Sequence, residues 1–337
     1  MDLATAAVDP VQSAEGEEMY DLFRRPQGRS RPRPDERAVI ESARTGELDI
    51  DGKAVVTYAW GSGERPVLLV HGWESRASRY AKLITRLLEL GYSPVSFDAP
   101  GHGESEGDST TLVEYRAIIA RLQGAHGDFE AVVGHSFGVL ATFLSLPEGL
   151  RTDRIVAISS VPDFAYLVDS FCAHMALGPQ LQDEICRRLE RDLYPGEDMW
   201  TRFSVLHHAS HVRVPLLLIH DENDEAVGAE QAEWIVGAFE GRARLVVTRR
   251  LGHRRILGAP RVVDEIAGFV TGTDPAHTER KAADPAYTER KAADPAYTER
   301  KAADPADTER KAADPAQPER KAADPTQTDR KAEVTAR

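Results

Sequence analysis

Apolar positions along this chain fall into two rhythms. Short, mostly apolar runs occupy residues 67–70, 94–97, 129–133, 155–158, 215–220 and 243–247. Runs of this length with few polar interruptions mark strands buried on both faces. Between them apolar residues recur every three or four positions. Tyr80, Leu83, Ile84, Leu87 and Leu88 share one side of a helix that Gly91 ends, and similar spacing predicts helices over 111–122, 139–146, 229–239 and 261–269. Strands alternating with helices predict the α/β class, with a mostly parallel, doubly wound sheet and right-handed crossovers. Ahead of this series, Asp51-Gly52 separates two β-rich runs, at 48–50 and 55–60, and predicts a hairpin with a type I′ turn.

The alternation breaks once. Residues 161–212 read as helical, with apolar weight from Phe164, Tyr166, Leu167, Phe171, Met175 and Leu177 and a break at Gly178-Pro179. An insertion of this size between two strands is read as a helical cap. The expected organisation is an N-terminal arm over 1–35, partly disordered, with Tyr20, Leu22 and Phe23 as anchors; one α/β domain over 36–272; and a tail over 273–337. The tail repeats a ten-residue unit beginning at Asp274, Asp284, Asp294, Asp304, Asp314 and Asp324. The unit has a proline in every copy and almost no apolar residue larger than alanine, so it lacks a face to bury, and a disordered tail is expected. Its binding partner, if it has one, is unknown.

Composition narrows the function classes. The 337 residues carry a formal net charge of -13, and the tail holds nearly equal numbers of acidic and basic residues, so the acidity belongs to the body. An acidic body argues against nucleic acid or an anionic membrane as the main partner. The basic cluster Arg24, Arg25, Arg29, Arg31 and Arg33 is interrupted by proline and reads as a solvated loop. Two cysteines, Cys172 and Cys186, give no disulfide framework. No stretch reaches the roughly 18 apolar residues of a membrane span, and the acidic start of the chain does not read as a secretory leader. A cytoplasmic protein is expected.

Chemistry concentrates at strand ends. Gly134-His135-Ser136-Phe137-Gly138 lies between a strand and a helix, the setting of a nucleophile elbow, where a serine stands free on a sharp turn. A serine nucleophile needs a base and an orienting acid. The strand ending at His220 is followed by Asp221, Glu222, Asn223 and Asp224, and the last strand by Leu251-Gly252-His253. His207, His208 and His211 cluster late in the cap, but no carboxylate or cysteine stands at ligand spacing, so no metal and no cofactor is expected.

With His71-Gly72-Trp73 and the segment Asp98-Ala99-Pro100-Gly101-His102-Gly103-Glu104-Ser105, these pieces resemble the α/β-hydrolase superfamily over about residues 52–270, most of all bacterial serine esterases and lipases with a small helical cap. The resemblance implies the α/β-hydrolase fold, Ser136 as nucleophile, His253 as general base and Asp224 as acid. Asp221 is then a loop cap, and Asp163 stands at a rarer alternative position for the acid. The oxyanion hole would be the backbone N–H groups of Trp73 and Phe137. His71, His102 and His135 would be structural. Serine rather than aspartate at the elbow implies acyl transfer through an acyl-enzyme, and the lack of an H-G-G-G stretch argues against the lipases that use one. The implied substrate is a small-molecule ester with an apolar acyl group. The competing reading is a hydrolase-fold binding or signalling protein with weak or vestigial activity.

Overall fold

Among the described residues, eight strands form one sheet in the order β1-β2-β4-β3-β5-β6-β7-β8. The structure is a computed structural model that describes residues 13–209, 212–239 and 241–273; the repeat tail expected to be disordered lies outside the described residues. The strands are β1 Arg44–Ile50, β2 Lys53–Ala59, β3 Pro66–Val70, β4 Ser93–Phe97, β5 Ala131–His135, β6 Ile155–Ile158, β7 Leu216–Asp221 and β8 Ala243–Thr248. From β4 to β8 every neighbouring pair is parallel, and β1 and β2 join antiparallel at one edge. The β1–β2 register pairs Ile50 with Lys53, leaving the two-residue turn Asp51-Gly52 with φ of 51° and 78°. Both values are positive, as a type I′ turn requires.

The helices are α1 Ala14–Arg24, α2 Pro34–Glu41, α3 Ala81–Glu89, α4 Leu112–His126, α5 Phe137–Ser145, α6 Phe164–His174, α7 Pro179–Leu193, α8 Met199–Arg202, α9 Val205–His208, α10 Ala229–Ala238, α11 Gly252–Arg255 and α12 Pro260–Thr271. Side-chain alternation along the strands sorts them into two layers. In β3, Leu68 and Val70 join a core with α4, α5, α10 and the cap, while Val67 and Leu69 join a second core with α3 and α12. This is the doubly wound α/β-hydrolase fold that the sequence implied. The insertion between β6 and β7 is the four helices α6 to α9. Among the described residues no helix is long and apolar enough to cross a membrane.

The N-terminal segment packs on that insertion. Ser13 caps α1 and donates from N–H and hydroxyl to Glu184 of α7, at 2.9 and 2.7 Å. At Gly16 the two helices approach so closely that a Cβ would lie 2.2 Å from the Glu184 carboxylate. Arg29 departs from the solvated-loop reading: its guanidinium donates to the carbonyls of Gly103, Ser105 and Gly107. A cluster of arginines looks solvated in sequence because the acceptors that hold one of them are distant backbone oxygens.

Those carbonyls belong to the loop after β4, which is built around Asp98. This fully buried carboxylate accepts from the N–H of Ala77 and Glu104, the Tyr58 hydroxyl and the Arg76 guanidinium, at 2.8 to 3.3 Å. The imidazoles next to it serve as spacers. Nε2 of His71 accepts from Ala99 N–H and its Nδ1 donates to Gly72 O; Nε2 of His102 accepts from Glu74 N–H and its Nδ1 donates to Pro100 O. Both acceptor roles require a neutral ring. Burial pushes the pKa of both below the ordinary 6.5.

Two outcomes follow from this packing. Asp98→Ala leaves the buried Arg76 guanidinium without this partner and is expected to cost about 3–5 kcal/mol in urea unfolding followed by circular dichroism; a loss under about 1 kcal/mol would contradict the hub. For the histidines, a folded pKa below the unfolded one means that the unfolded chain binds more protons as pH falls below about 6.5. Stability is therefore full above that pH and declines below it. From pH 7 to about 5.5, before most carboxylates titrate, the loss should be about 1 kcal/mol for each histidine that stays neutral. A flat unfolding free energy over that interval would refute the assignment.

Candidate active site

Ser136 occupies the turn between β5 and α5 with φ 53° and ψ -120°, a conformation that costs about 1–3 kcal/mol for a residue with a Cβ. Hydrogen bonds clamp it: Ser136 N–H donates to Ile158 O, and Val139 N–H donates to Ser136 O, both at 2.9 Å. The flanking glycines permit the turn. A Cβ at Gly138 would lie 2.3 Å from Val70 O and 2.6 Å from His71 O, so only glycine lets α5 start against the end of β3. Gly72 is similarly confined, with His135 O 2.9 Å and Ser136 Cβ 3.0 Å from its virtual Cβ.

Two backbone N–H groups follow Ser136 and Gly72 in the chain, those of Phe137 and Trp73. Phe137 is the first residue of α5, where an N–H has no intrahelical partner. Trp73 follows Gly72. Neither N–H has an acceptor among the described residues. The rings of Trp73 and Phe137 stand 5.6 Å apart, and both line the cavity over Ser136.

The loops after β7 and β8 bring the acid and the imidazole together. The Asp224 side chain is fully buried; its carboxylate accepts from His253 Nδ1 at 2.8 Å and from the N–H of Ala226 and Val227. With Nδ1 donating, a neutral His253 keeps Nε2 as its acceptor. Burial alone would push the Asp224 carboxyl up, but the hydrogen bond and charge of His253 and the two N–H donors outweigh it and hold the pKa at about 2. Asp221 plays a different part. It accepts from the N–H of Asn223, Leu251 and Gly252 and from the Thr248 hydroxyl, and so ties one loop to the other. Asp163 caps α6 by accepting from Tyr166 N–H.

Ser136 and His253 line one cavity of about 290 Å³, yet no hydrogen bond joins the serine hydroxyl to the imidazole. The cavity walls are mainly apolar, with Phe137, Phe164, Phe171, Leu189 and Leu193 prominent. Four further groups stand beside these residues. His135 donates from Nε2 to His253 O at 2.8 Å, its ring 4.7 Å from that of His253. Burial, and then the charge of His253, hold the His135 pKa down at about 3. His220 donates to Val227 O and lies 3.8 Å from Asp224. Arg254 pairs with Glu74 at 3.2 Å beside the cavity. Phe23 of α1 also lines the cavity. The histidines carried a signal, since both lie at strand ends beside the candidate residues; Phe23 showed only as an anchor of the N-terminal arm, with nothing to place it in the cavity. Among the described residues no group of three or more histidine, cysteine and carboxylate side chains could hold a metal ion; His211 lies outside them.

Comparison with known proteins agrees with this fold. The sequence pattern described as the alpha/beta hydrolase family matches residues 67–304. A non-heme haloperoxidase of Rhodococcus erythropolis is 30% identical over 125 residues, 36% of this chain and 45% of that protein. A serine hydrolase-like protein of Homo sapiens is 31% identical over 118 residues, 32% of this chain and 55% of that protein. The chain thus spans about half the length of the curated relatives it matches. An esterase of Pyrococcus furiosus superposes with a TM-score of 0.54 at 21% identity, over 74% of this chain and 98% of that one. An esterase of Rhodococcus sp. superposes at 0.51 with 15% identity, over 69% and 100%. Those identities speak for the fold alone. With the matched stretch running from β3 through the elbow and past α12, the chain belongs to the alpha/beta hydrolase family.

Proposed function

We propose that this protein is a serine hydrolase that cleaves a carboxylic ester, or a related acyl bond, through an acyl-enzyme on Ser136. The observation that carries the reading is the convergence in one apolar cavity of a serine on a strained turn and an imidazole hydrogen-bonded to a buried carboxylate. The serine oxygen attacks the acyl carbon while His253 Nε2 takes its proton. The carbonyl oxygen gains negative charge and lies against the N–H groups of Trp73 and Phe137, each worth roughly 2.7–4 kcal/mol to the transition state. Collapse expels the alcohol, which leaves with the proton from His253. Water then repeats the sequence and frees the acid. Asp224 holds the ring in the Nδ1–H tautomer and stabilises the imidazolium. No metal or cofactor enters these steps.

The apolar walls favour a substrate with an apolar acyl group. A relative named serine hydrolase-like supports the serine hydrolase reading. One observation favours the second reading, a binding protein with vestigial activity: the hydrogen bond missing between Ser136 and His253. Catalytic hydrogen bonds are, however, often long before substrate arrives and tighten in its complex.

Short-chain p-nitrophenyl esters separate the two readings. Ser136→Ala should lower kcat by about 10⁴-fold or more and abolish labelling by a fluorophosphonate probe. Equal rates in both proteins, over several acyl lengths, would leave the binding reading standing. The acid assignment has its own test. Asp224→Asn should lower kcat by about 10³–10⁴-fold, whereas Asp221→Asn should act on the melting temperature more than on kcat. A reversal of the two effects would transfer the acid role to Asp221.

A further inference from the structure

The family match begins at residue 67, yet part of the cavity wall is supplied by residues before it. We propose that Phe23, on the N-terminal helix α1, sets the size limit of the acyl group, so that selectivity is fixed by a segment outside the matched hydrolase framework. The proposal rests on the ester hydrolase reading and names the substrate class further: esters of apolar acyl groups whose length Phe23 caps.

Phe23 lines the same cavity as Ser136 and His253. Its ring stands edge-on to two aromatic rings of the cap, 5.8 Å from Phe164 at 90° and 5.3 Å from Phe171 at 72°. Phe164 and Phe171 also line the cavity. The three rings form one apolar wall drawn from two chain segments, and the edge-to-face geometry fixes each ring against the others. An acyl chain running along this wall gains apolar burial for each methylene until a ring blocks it.

A ring can cap a cavity only if its backbone is held, and α1 is tied at both ends. At its start, Ser13 is bound to Glu184 of α7, which also pairs with Arg188. In its middle, the Tyr20 hydroxyl donates to Asp192 at the far end of α7. At its finish, Arg24 O accepts from Thr110 N–H at 3.1 Å, next to α4. Just beyond, Gln27 N–H donates to Glu74 at 2.9 Å, and Glu74 pairs with Arg254, the neighbour of His253. Arg29 then binds the three carbonyls of the loop after β4. Phe23 thus sits where the segment passes from the cap to the sheet, with attachments to both.

The test compares p-nitrophenyl butyrate with p-nitrophenyl laurate for wild type, Phe23→Ala, Phe23→Leu and Phe23→Trp, each checked for folding by its melting temperature. The laurate-to-butyrate ratio of kcat/KM should rise by about tenfold or more in Phe23→Ala, in line with the 10- to 200-fold that one methylene is worth in an apolar pocket. It should rise less in Phe23→Leu and fall in Phe23→Trp. Folded Leu and Trp variants with the wild-type ratio would overturn the proposal. If wild type hydrolyses neither ester, the hydrolase reading fails instead, and calorimetric titration with butyrate and laurate still probes the wall. Laurate affinity that rises relative to butyrate in Phe23→Leu and falls in Phe23→Trp supports the role of Phe23. Unchanged relative affinities, or no binding of either carboxylate to any form, overturn it.

Discussion

The site depends on the approach of two backbones. At Gly138 the first turn of α5 lies against the carbonyl oxygens that end β3, within a distance no side chain tolerates. This contact makes β3 and β5 neighbours at their C-terminal ends, where their register pairs Val70 with Gly134. It confines the strained turn at Ser136, immediately before Phe137 opens α5. The later loops add an imidazole and a carboxylate to a platform that already has its shape.

Around that platform, polar groups are arranged to hold loops rather than to react. Asp98 gathers the turn after β4 and the segment leading to α3. Asp221 gathers the turns after β7 and β8. Tyr166 reaches from the cap towards the Asp224 loop, its hydroxyl near Ala226 O and Gly228 N. His135 holds the backbone of His253. Asp98 and Asp221 are fully buried with several partners each, so the loops they tie have little freedom to separate, and the His253–Asp224 pair is assembled without a substrate's help.

Much of this was legible in the sequence. Strands with both faces buried show as apolar runs, and strand-end motifs show because strained turns and close approaches admit few residue types. Only the family resemblance separates Asp221 from Asp224 in the sequence; in the structure Asp221 holds loop N–H groups and Asp224 meets the His253 imidazole. The N-terminal segment was legible only in part. Tyr20 and Phe23 stood out as anchors, but the helix they ride is largely polar, and its contacts lie 171 and 172 residues away, at Glu184 and Asp192. Local composition carries no record of such partners. The same limit applies to Arg29, whose acceptors are backbone oxygens that no residue identity announces.

The polymer physics of the cavity carries a further implication. Its lining begins at Phe23 and ends at Arg254, so nearly the whole described chain must be in place before the enclosure exists. Contacts of such long sequence separation form slowly, because loop-closure entropy is lost before they can repay it. No fragment ending before β8 can present an enclosed site. A nascent or partly unfolded chain would therefore lack the enclosed cavity, and occupancy of that cavity would report on the closure of the domain as a whole.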